Sequence, residues 1–148
     1  MILVTEIKNQ SIYFCIKIYN MKKYIPITII ALLFFTNCNF AQQATVLNAN
    51  DYEKKISTEK NIQLIDVRTP EEYQQGHIKN AKNMNVYDAN FEKEIQKLDK
   101  SKPVYIYCRS GSRSRSAAQV LSNNGFKTIF DLQGGITAWQ SANKSVSK

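Results

Sequence analysis

Pro103-Val-Tyr-Ile-Tyr-Cys108 and the segment that follows it, Arg109-Ser-Gly-Ser-Arg-Ser114, decide the fold of this chain. The first segment is rich in β-branched and aromatic residues. Proline stands at its first position, where a missing N–H costs least, so the pattern predicts a strand. The second segment is small and polar, and the apolar residues at 117–121 then predict a helix that stops at Asn123-Asn124-Gly125. The stretch therefore predicts a strand, a short loop and a helix in that order.

Strand and helix patterns alternate on both sides of this stretch. Four further short apolar segments predict strands: 44–47, 62–67, 81–86 and 126–132. Helices are predicted at 52–56 with Asn50-Asp51 as cap, from Thr69-Pro70-Glu71-Glu72 to Gly76, around Phe91, Ile95 and Leu98, and at 136–141. This alternation predicts an α/β fold with a mostly parallel central sheet of about five strands, flanked by helices on both faces.

Length and composition indicate one globular domain. The chain has 148 residues, of which 43% are hydrophobic, with only 5 Gly and 3 Pro. These values exclude collagen-like, mucin-like and disordered chains, which have excess glycine or proline or few apolar residues. A chain of this length holds one hydrophobic core, and we assign it to residues 44–146.

The net charge of +8 does not indicate a nucleic-acid partner. The first 41 residues carry +3, because four lysines face one glutamate there, which leaves +5 for the rest. The lysine-rich segment 93–102 also contains acidic residues, so it is interpreted as the solvated face of a helix.

Residues 21–41 have the pattern of an export signal. Met21-Lys22-Lys23 is a short basic head, and an apolar run of 12 residues follows at 24–35. A membrane-spanning helix needs about 20 apolar residues, so this run fits the hydrophobic part of a signal peptide instead. Because the basic head belongs at the start of such a signal, residues 1–20 are predicted to be a misassigned N-terminal extension. We expect an exported, periplasmic protein.

Two processing routes remain open for this signal. Cleavage after Ala41 would release the protein, although Asn39 makes an imperfect cleavage site. Alternatively, Leu33-Phe-Phe-Thr-Asn-Cys38 resembles a loose lipoprotein signal, although Asn37 is a poor residue before the cysteine. In that case a lipid on Cys38 would tether the protein to the membrane, and no other membrane contact is expected.

The cysteines exclude a disulfide framework. Cys15 and Cys38 lie in the leader, so the predicted domain keeps only Cys108. A lone thiol forms no internal disulfide, and a metal site built from several cysteines is excluded as well.

Cys108 is the candidate for chemistry because it ends a predicted strand, where parallel sheets bind their ligands. The backbone N–H groups of residues 109–114 can form an anion-binding nest around its sulfur, and Arg109, Arg113 and Arg115 add positive potential. These effects favour the thiolate, so we expect the pKa of Cys108 below its ordinary value. A buried, inert cysteine is the alternative, which the arginines and Gly111 disfavour.

Three motifs resemble those of a single-domain rhodanese. They are Leu64-Ile-Asp-Val-Arg-Thr-Pro-Glu-Glu-Tyr-Gln-Gln-Gly-His-Ile-Lys-Asn-Ala81, Cys108-Arg-Ser-Gly-Ser-Arg-Ser114, and Leu132-Gln-Gly-Gly-Ile-Thr-Ala-Trp139, with Gly125-Phe between the last two. The resemblance extends over residues 44–141 and implies a rhodanese-like fold. It also implies a thiosulfate or related sulfurtransferase in which Cys108 is the nucleophile and carries a persulfide between two half-reactions.

The resemblance also implies roles for other residues. The active-site loop that would cradle the substrate consists of Arg109, Ser110, Gly111, Ser112 and Arg113. Asp66, Arg68 and Glu72 resemble the network at the strand end in this family, and their simpler interpretation is an ion pair that fixes the first helix.

The implied reaction moves sulfane sulfur from thiosulfate or a related anionic donor to a thiol or cyanide acceptor. No metal and no organic cofactor are expected. The alternative is a non-catalytic or partner-dependent sulfur carrier, in which Cys108 receives sulfur from a relay protein and turns over small donors slowly.

A cysteine phosphatase is the main competing enzyme. That chemistry uses a cysteine, five residues and then an arginine, but the corresponding position here is Ser114. Arg113 comes one position too early and Arg115 one too late, so the loop is one residue short for phosphate.

Two other residues have structural interpretations. His77, the only histidine, lies in a Gly-His-Ile turn, and its imidazole is expected to bond to backbone. Trp139 is expected to pack in the core or at its edge.

Overall fold

A computed structural model describes residues 43–148 of the chain. They form one sheet of five parallel strands in the order β1-β5-β4-β2-β3. The strands are β1 (Thr45–Leu47), β2 (Gln63–Asp66), β3 (Lys82–Asn83), β4 (Val104–Tyr107) and β5 (Ile129–Leu132). The helices are α1 (Ala49–Thr58), α2 (Pro70–Gln75), α3 (Phe91–Ile95), α4 (Ser112–Asn123) and α5 (Gly135–Ser141). The predicted parallel α/β fold is confirmed.

A hydrophobic core lies on each face of the sheet. On one face, α4 and α3 pack on the strands through Ala117, Ala118, Leu121, Phe91 and Ile95. On the other face, α1 and α5 contribute Tyr52, Ile136 and Trp139. Helices therefore cover both faces, as the alternating pattern predicts.

The central strand β4 shows how the alternation of side chains positions the site. Val104 and Ile106 belong to the core under α4, and so does Cys108 directly after the strand. Tyr105 and Tyr107 point to the opposite core, because successive side chains in a strand alternate between faces. Cys108 thus lies at the carboxyl end of β4 and beneath the start of α4.

The structure corrects several predicted boundaries. The cap of α1 is Asn48, not Asn50-Asp51, because the Asn48 side chain accepts hydrogen bonds from both of those backbone N–H groups at 3.0 Å. β3 has only two residues, since it is an edge strand that pairs with β2 alone. β5 begins at Ile129 and not at residue 126.

The predicted leader lies outside the described residues. The extension at 1–20, the signal at 21–41 and Cys38 therefore stay predictions. Within residues 43–148, none of the helices combines the length and the apolar character that a membrane crossing requires.

Candidate active site

The backbone of Cys108 is held by the start of α5. The N–H of Ile136 donates to the carbonyl oxygen of Cys108 at 2.9 Å, and the N–H of Thr137 donates to that of Arg109 at 3.2 Å. Gly135 permits this close approach, because a Cβ built on it would lie 2.4 Å from the Cys108 carbonyl oxygen. Its φ of +60° also favours glycine. The Gly-Gly pair, predicted only as a turn, therefore fixes the site to α5.

The loop after Cys108 folds back over the sulfur. The N–H of Gly111 donates to Sγ of Cys108 at 3.0 Å, and Gly111 has a φ of +102°, a conformation that only glycine adopts readily. Arg109, Ser110 and Ser112 are exposed, whereas Cys108 is 1% exposed. The sulfur therefore lies at the base of the loop, in a tighter enclosure than the sequence suggests.

The pKa of the Cys108 thiol lies below its ordinary value. Burial raises this pKa, but the backbone N–H and the hydroxyl of Ser114 lower it, together with the N–H groups of Gly111 and Ser110. The direction agrees with the sequence analysis. The groups that lower the pKa of Cys108 are, however, these hydrogen-bond donors and not the guanidinium groups. The charge of Cys108 in turn raises the pKa of Arg113.

Glu72, in the first turn of α2, binds Arg113 of the active-site loop, and among the described residues it makes no hydrogen bond to Asp66 or Arg68, with which the sequence analysis grouped it. Nη1 and Nη2 of Arg113 donate to its two carboxylate oxygens at 2.6 and 2.8 Å. Hydrogen bonding by Arg113 lowers the pKa of Glu72 to about 2. Glu72 is also fixed by a capping box with Thr69, so the start of α2 holds Arg113 in place.

Asp66 and Arg68 form a buried ion pair of their own. Nε of Arg68 donates to Oδ1 of Asp66 at 2.9 Å and Nη2 donates to Oδ2 at 2.6 Å. Nη2 also donates to the carbonyl oxygen of Gly76 at 2.7 Å. Among the described residues, the two side chains make no hydrogen bond to the loop of Cys108, so they join β2 to the end of α2.

Arg109 and Arg115 differ from Arg113. Both are exposed, and neither takes part in an ion pair among the residues that the structure describes. Arg109 is thus the cation in the loop whose charge is least offset by a carboxylate.

His77 and Trp139 hold the C-terminal segment. The backbone of His77 pairs with that of Ser147, and its ring stacks on Tyr73 with centroids 3.8 Å apart. Nε1 of Trp139 donates to the carbonyl oxygen of Ser145 at 2.9 Å. Nδ1 of the His77 ring lies 3.2 Å from the carbonyl oxygen of Tyr73, and Trp139 packs in the core, as the sequence analysis expected of both. Within residues 43–148, no three His, Cys, Asp or Glu side chains cluster as a metal site.

The sequence analysis missed two buried polar side chains on the α4 side of the sheet, where Cys108 also lies. Ser114 is fully buried and Asp131 is 6% exposed. Ser114 lies on the buried side of α4 with Ala117, Ala118 and Leu121, and this helical spacing was a signal that could have found it. Asp131 carried no comparable signal, because an acid in a short strand usually faces solvent.

A comparison with protein families matches residues 48–142 to the rhodanese-like domain. The match runs from the cap of α1 to the end of α5 and includes every strand except β1.

Individual relatives agree with this match. An uncharacterized protein of Bacillus subtilis, YqhL, is 34% identical over 109 residues, which are 74% of this chain and 85% of the relative. The thiosulfate sulfurtransferase GlpE of Coxiella burnetii is 36% identical over 99 residues, 67% of this chain and 87% of that protein. The crystal structure of a rhodanese-related protein from Thermoplasma volcanium superposes with a TM-score of 0.62 at 29% identity, covering 70% of this chain and 97% of that one.

Proposed function

The chain belongs to the rhodanese-like family, whose relatives include named sulfurtransferases, and we propose that it transfers sulfane sulfur through a persulfide on Cys108. One observation carries the proposal: the sulfur of Cys108 accepts the Gly111 N–H at 3.0 Å inside a loop that lowers the thiol pKa. The name of the Coxiella burnetii relative supports thiosulfate as the donor.

In the first half-reaction, the Cys108 thiolate attacks the outer sulfur of thiosulfate. A new S–S bond forms to Cys108, the S–S bond of thiosulfate breaks, and its electron pair leaves with sulfite. The persulfide that remains ends in a sulfur anion, for which the N–H groups of the loop are suitable donors.

In the second half-reaction, cyanide or a thiolate attacks the outer sulfur of the persulfide. Its S–S bond breaks, the electron pair returns to Sγ of Cys108, and thiocyanate or a new persulfide leaves. No cofactor is needed, because each step breaks one S–S bond and forms one new bond to the transferred sulfur, an S–S bond to a thiolate or a C–S bond to cyanide, with no external oxidant or reductant.

The positive charge that attracts an anionic sulfur donor such as thiosulfate comes mainly from Arg109. Arg113 already uses both terminal nitrogens on Glu72, so the pair is close to neutral as a unit. Arg109 is exposed in the loop, where a guanidinium can bind sulfonate-like oxygens directly.

The test is cyanide-dependent release of thiocyanate from thiosulfate. Cys108→Ser should reduce the rate at least about 1,000-fold, because it removes the nucleophile. Mass spectrometry of the thiosulfate-treated protein should show one added sulfur on the tryptic peptide 101–109 and none there in the variant.

The matched control uses the other two cysteines. In the unprocessed full-length chain, Cys15→Ser and Cys38→Ser should retain the full rate, since both residues lie outside the rhodanese-like match. Equal rates for the wild type and Cys108→Ser would reject this mechanism.

The kinetics also separate an enzyme from a sulfur carrier. A rate that saturates at micromolar to low millimolar thiosulfate supports the enzyme. Persulfide formation without saturable turnover would indicate the partner-dependent carrier instead.

Export is part of the same proposal. Its support is the basic head and short apolar run at residues 21–41. N-terminal sequencing and intact mass of the protein from the cell envelope should show a start near residue 42, or a lipidated Cys38. An intact Met1 would contradict both routes.

A further inference from the structure

Tyr87 is an exposed aromatic residue in the turn that follows β3. It is 72% exposed, and within residues 43–148 the only other exposed large apolar residue is Val46, at 57%. Val46 lies in β1, at the opposite edge of the sheet from β3. Single exposed apolar side chains are common in proteins, so what distinguishes Tyr87 is its position.

The backbone on both sides of Tyr87 is fixed. The N–H of Val86 donates to the carbonyl oxygen of Val67 at 3.2 Å, which joins the turn to the chain that leaves β2. The N–H of Tyr87 itself donates to Oδ1 of Asn85 at 3.1 Å. Four residues further, Phe91 is buried in the core. The turn therefore holds the Tyr87 ring in a defined place.

The ring lies against the active-site loop. Cζ of Arg113 is 5.8 Å from the ring centroid, within the range of a cation–π contact. Arg113 is a fixed neighbour, because its guanidinium donates two hydrogen bonds to Glu72. Since Tyr87 is still 72% exposed, most of the ring surface remains free to contact a ligand.

The hydrogen bonds of the sheet give the distance between Tyr87 and the nucleophile. The N–H of Val67 donates to the carbonyl oxygen of Tyr107 at 3.0 Å, and the carbonyl oxygen of Val67 accepts the N–H of Val86. Neighbouring segments of a sheet lie about 4.8 Å apart, so two such steps separate the backbone of Tyr87 from that of Cys108 by about 10 Å. An extended chain covers about 3.5 Å per residue, so a ligand about three residues long spans this distance.

A small organic ligand fits this ring better than a protein partner does. A stable protein interface buries about 800 Å² on each partner, but the second exposed apolar residue, Val46, lies at the far edge of the sheet. Cyanide is diatomic and cannot contact Tyr87 while it attacks a sulfur on Cys108. A thiol of peptide size can do both at once.

We propose that Tyr87 is a specificity-determining residue that binds the carbon chain of an organic thiol acceptor of about tripeptide size. The inference rests on the proposed function, because the acceptor's thiolate attacks the outer sulfur of the Cys108 persulfide while its chain packs on the ring. The S–S bond to Cys108 breaks, its electron pair returns to Sγ, and the organic persulfide leaves. The ring contact selects such thiols over acceptors too small to reach it.

The experiment measures the second half-reaction alone. The full chain is loaded with thiosulfate, freed of small molecules, and mixed with one of three acceptors: the tripeptide thiol glutathione, 2-mercaptoethanol or cyanide. Loss of the added sulfur from tryptic peptide 101–109 gives the second-order rate constant. Tyr87→Ala should lower the constant for glutathione about fivefold to tenfold and leave the other two within about twofold of the wild type.

Two further variants separate the ring contact from other causes. Tyr87→Phe keeps the ring and should retain the wild-type constant for glutathione. Val46→Ala removes the other exposed apolar side chain and should change none of the constants. An unchanged constant for glutathione in Tyr87→Ala overturns the proposal. An equal loss with all three acceptors also overturns it, because that result would show that Tyr87 acts only by supporting Arg113.

A second measurement does not require the persulfide. S-methylglutathione has the same chain as glutathione but accepts no sulfur. At millimolar concentration it should slow the alkylation of Cys108 by iodoacetamide in the wild type and in Tyr87→Phe, but not in Tyr87→Ala. Equal protection of all three proteins would contradict binding to the ring. Failure to load the persulfide would reject the proposed function, whereas normal transfer to cyanide without any effect of Tyr87 would reject this inference alone.

Discussion

At the scale of single residues, the chemistry of Cys108 depends on neutral donors more than on charges. Ser114, Gly111 and Ser110 lower its thiol pKa against the effect of burial. Dipoles that hydrogen-bond directly to the sulfur can do this because they lie close to it, whereas exposed charges are screened by water. Arg113, whose charge interacts with that of Cys108, is itself paired with Glu72.

Glu72→Gln tests this pairing. The change removes the charge that holds Arg113, so we expect a severalfold lower rate of sulfur transfer and a loss of about 1 kcal/mol of stability. The pKa of Glu72 is lowered to about 2 in the folded protein, so the stabilisation is complete above the ordinary pKa of 4.5. It is lost as pH falls through about 2.

Urea unfolding of both proteins from pH 7 to pH 2 measures this difference. The gap between them should close towards pH 2. Glu92→Gln, on an exposed side chain at the start of α3, is the control. A gap that stays constant with pH would show that the ion pair does not stabilise the fold.

At the scale of elements, the site is the meeting point of β4, α4 and the start of α5. α5 holds the carbonyl groups of Cys108 and Arg109, while Gly111 turns the chain into α4. These contacts require close backbone approach, which glycine allows. The loop is therefore preorganised by two successive helices, α4 and α5, which flank β5 in the chain.

Gly135→Ala should disrupt this junction. The added Cβ would lie 2.4 Å from the carbonyl oxygen of Cys108, so the loop must move. We expect a loss of about 2–4 kcal/mol of stability and at least about a tenfold lower rate of sulfur transfer.

The matched control is Gly125→Ala. Gly125 also has a positive φ, of +89°, but a Cβ there meets nothing within 4 Å. It should lose about 1 kcal/mol of stability from backbone strain and keep its activity. Equal losses in the two variants, measured by urea unfolding and thiocyanate release, would contradict a special role for Gly135.

At the scale of the whole molecule, most of the sheet is buried between two layers of helices, and Asp131 is an acid within that interior. Its folded pKa of about 6 lies above the ordinary 3.8, so the folded protein binds the proton more tightly than the unfolded chain. The contribution of Asp131 to the stability of the fold is therefore complete below pH 3.8, where its carboxyl group is protonated in both states. This contribution is lost as pH rises through about 6.

Asp131→Asn should remove this loss. We expect the variant to be more stable than the wild type at pH 8 by about 1–3 kcal/mol, with the gap closing towards pH 4. Thermal unfolding across this range is the measurement, with Glu92→Gln on the exposed side of α3 as control. A variant that is less stable at pH 8 would show that the carboxylate has a compensating partner.

Local patterns in the sequence were sufficient for the elements. Alternation and apolar runs located the five strands, and Thr69-Pro70 with Gly76 correctly marked both ends of α2. The cap of α1 was misplaced by two residues because Asn48, Asn50 and Asp51 are all competent caps. Only the backbone geometry distinguishes such neighbours.

The sequence by itself determined the parallel α/β class and the position of Cys108 at a strand end, since both follow from short-range periodicity and spacing. The tertiary structure decided the strand order, the pairing of Arg113 with Glu72, and the burial of Asp131 and Ser114. Glu72 and Arg113 are 41 positions apart. Contacts at such separations depend on how complete elements pack, and no local pattern encodes that packing.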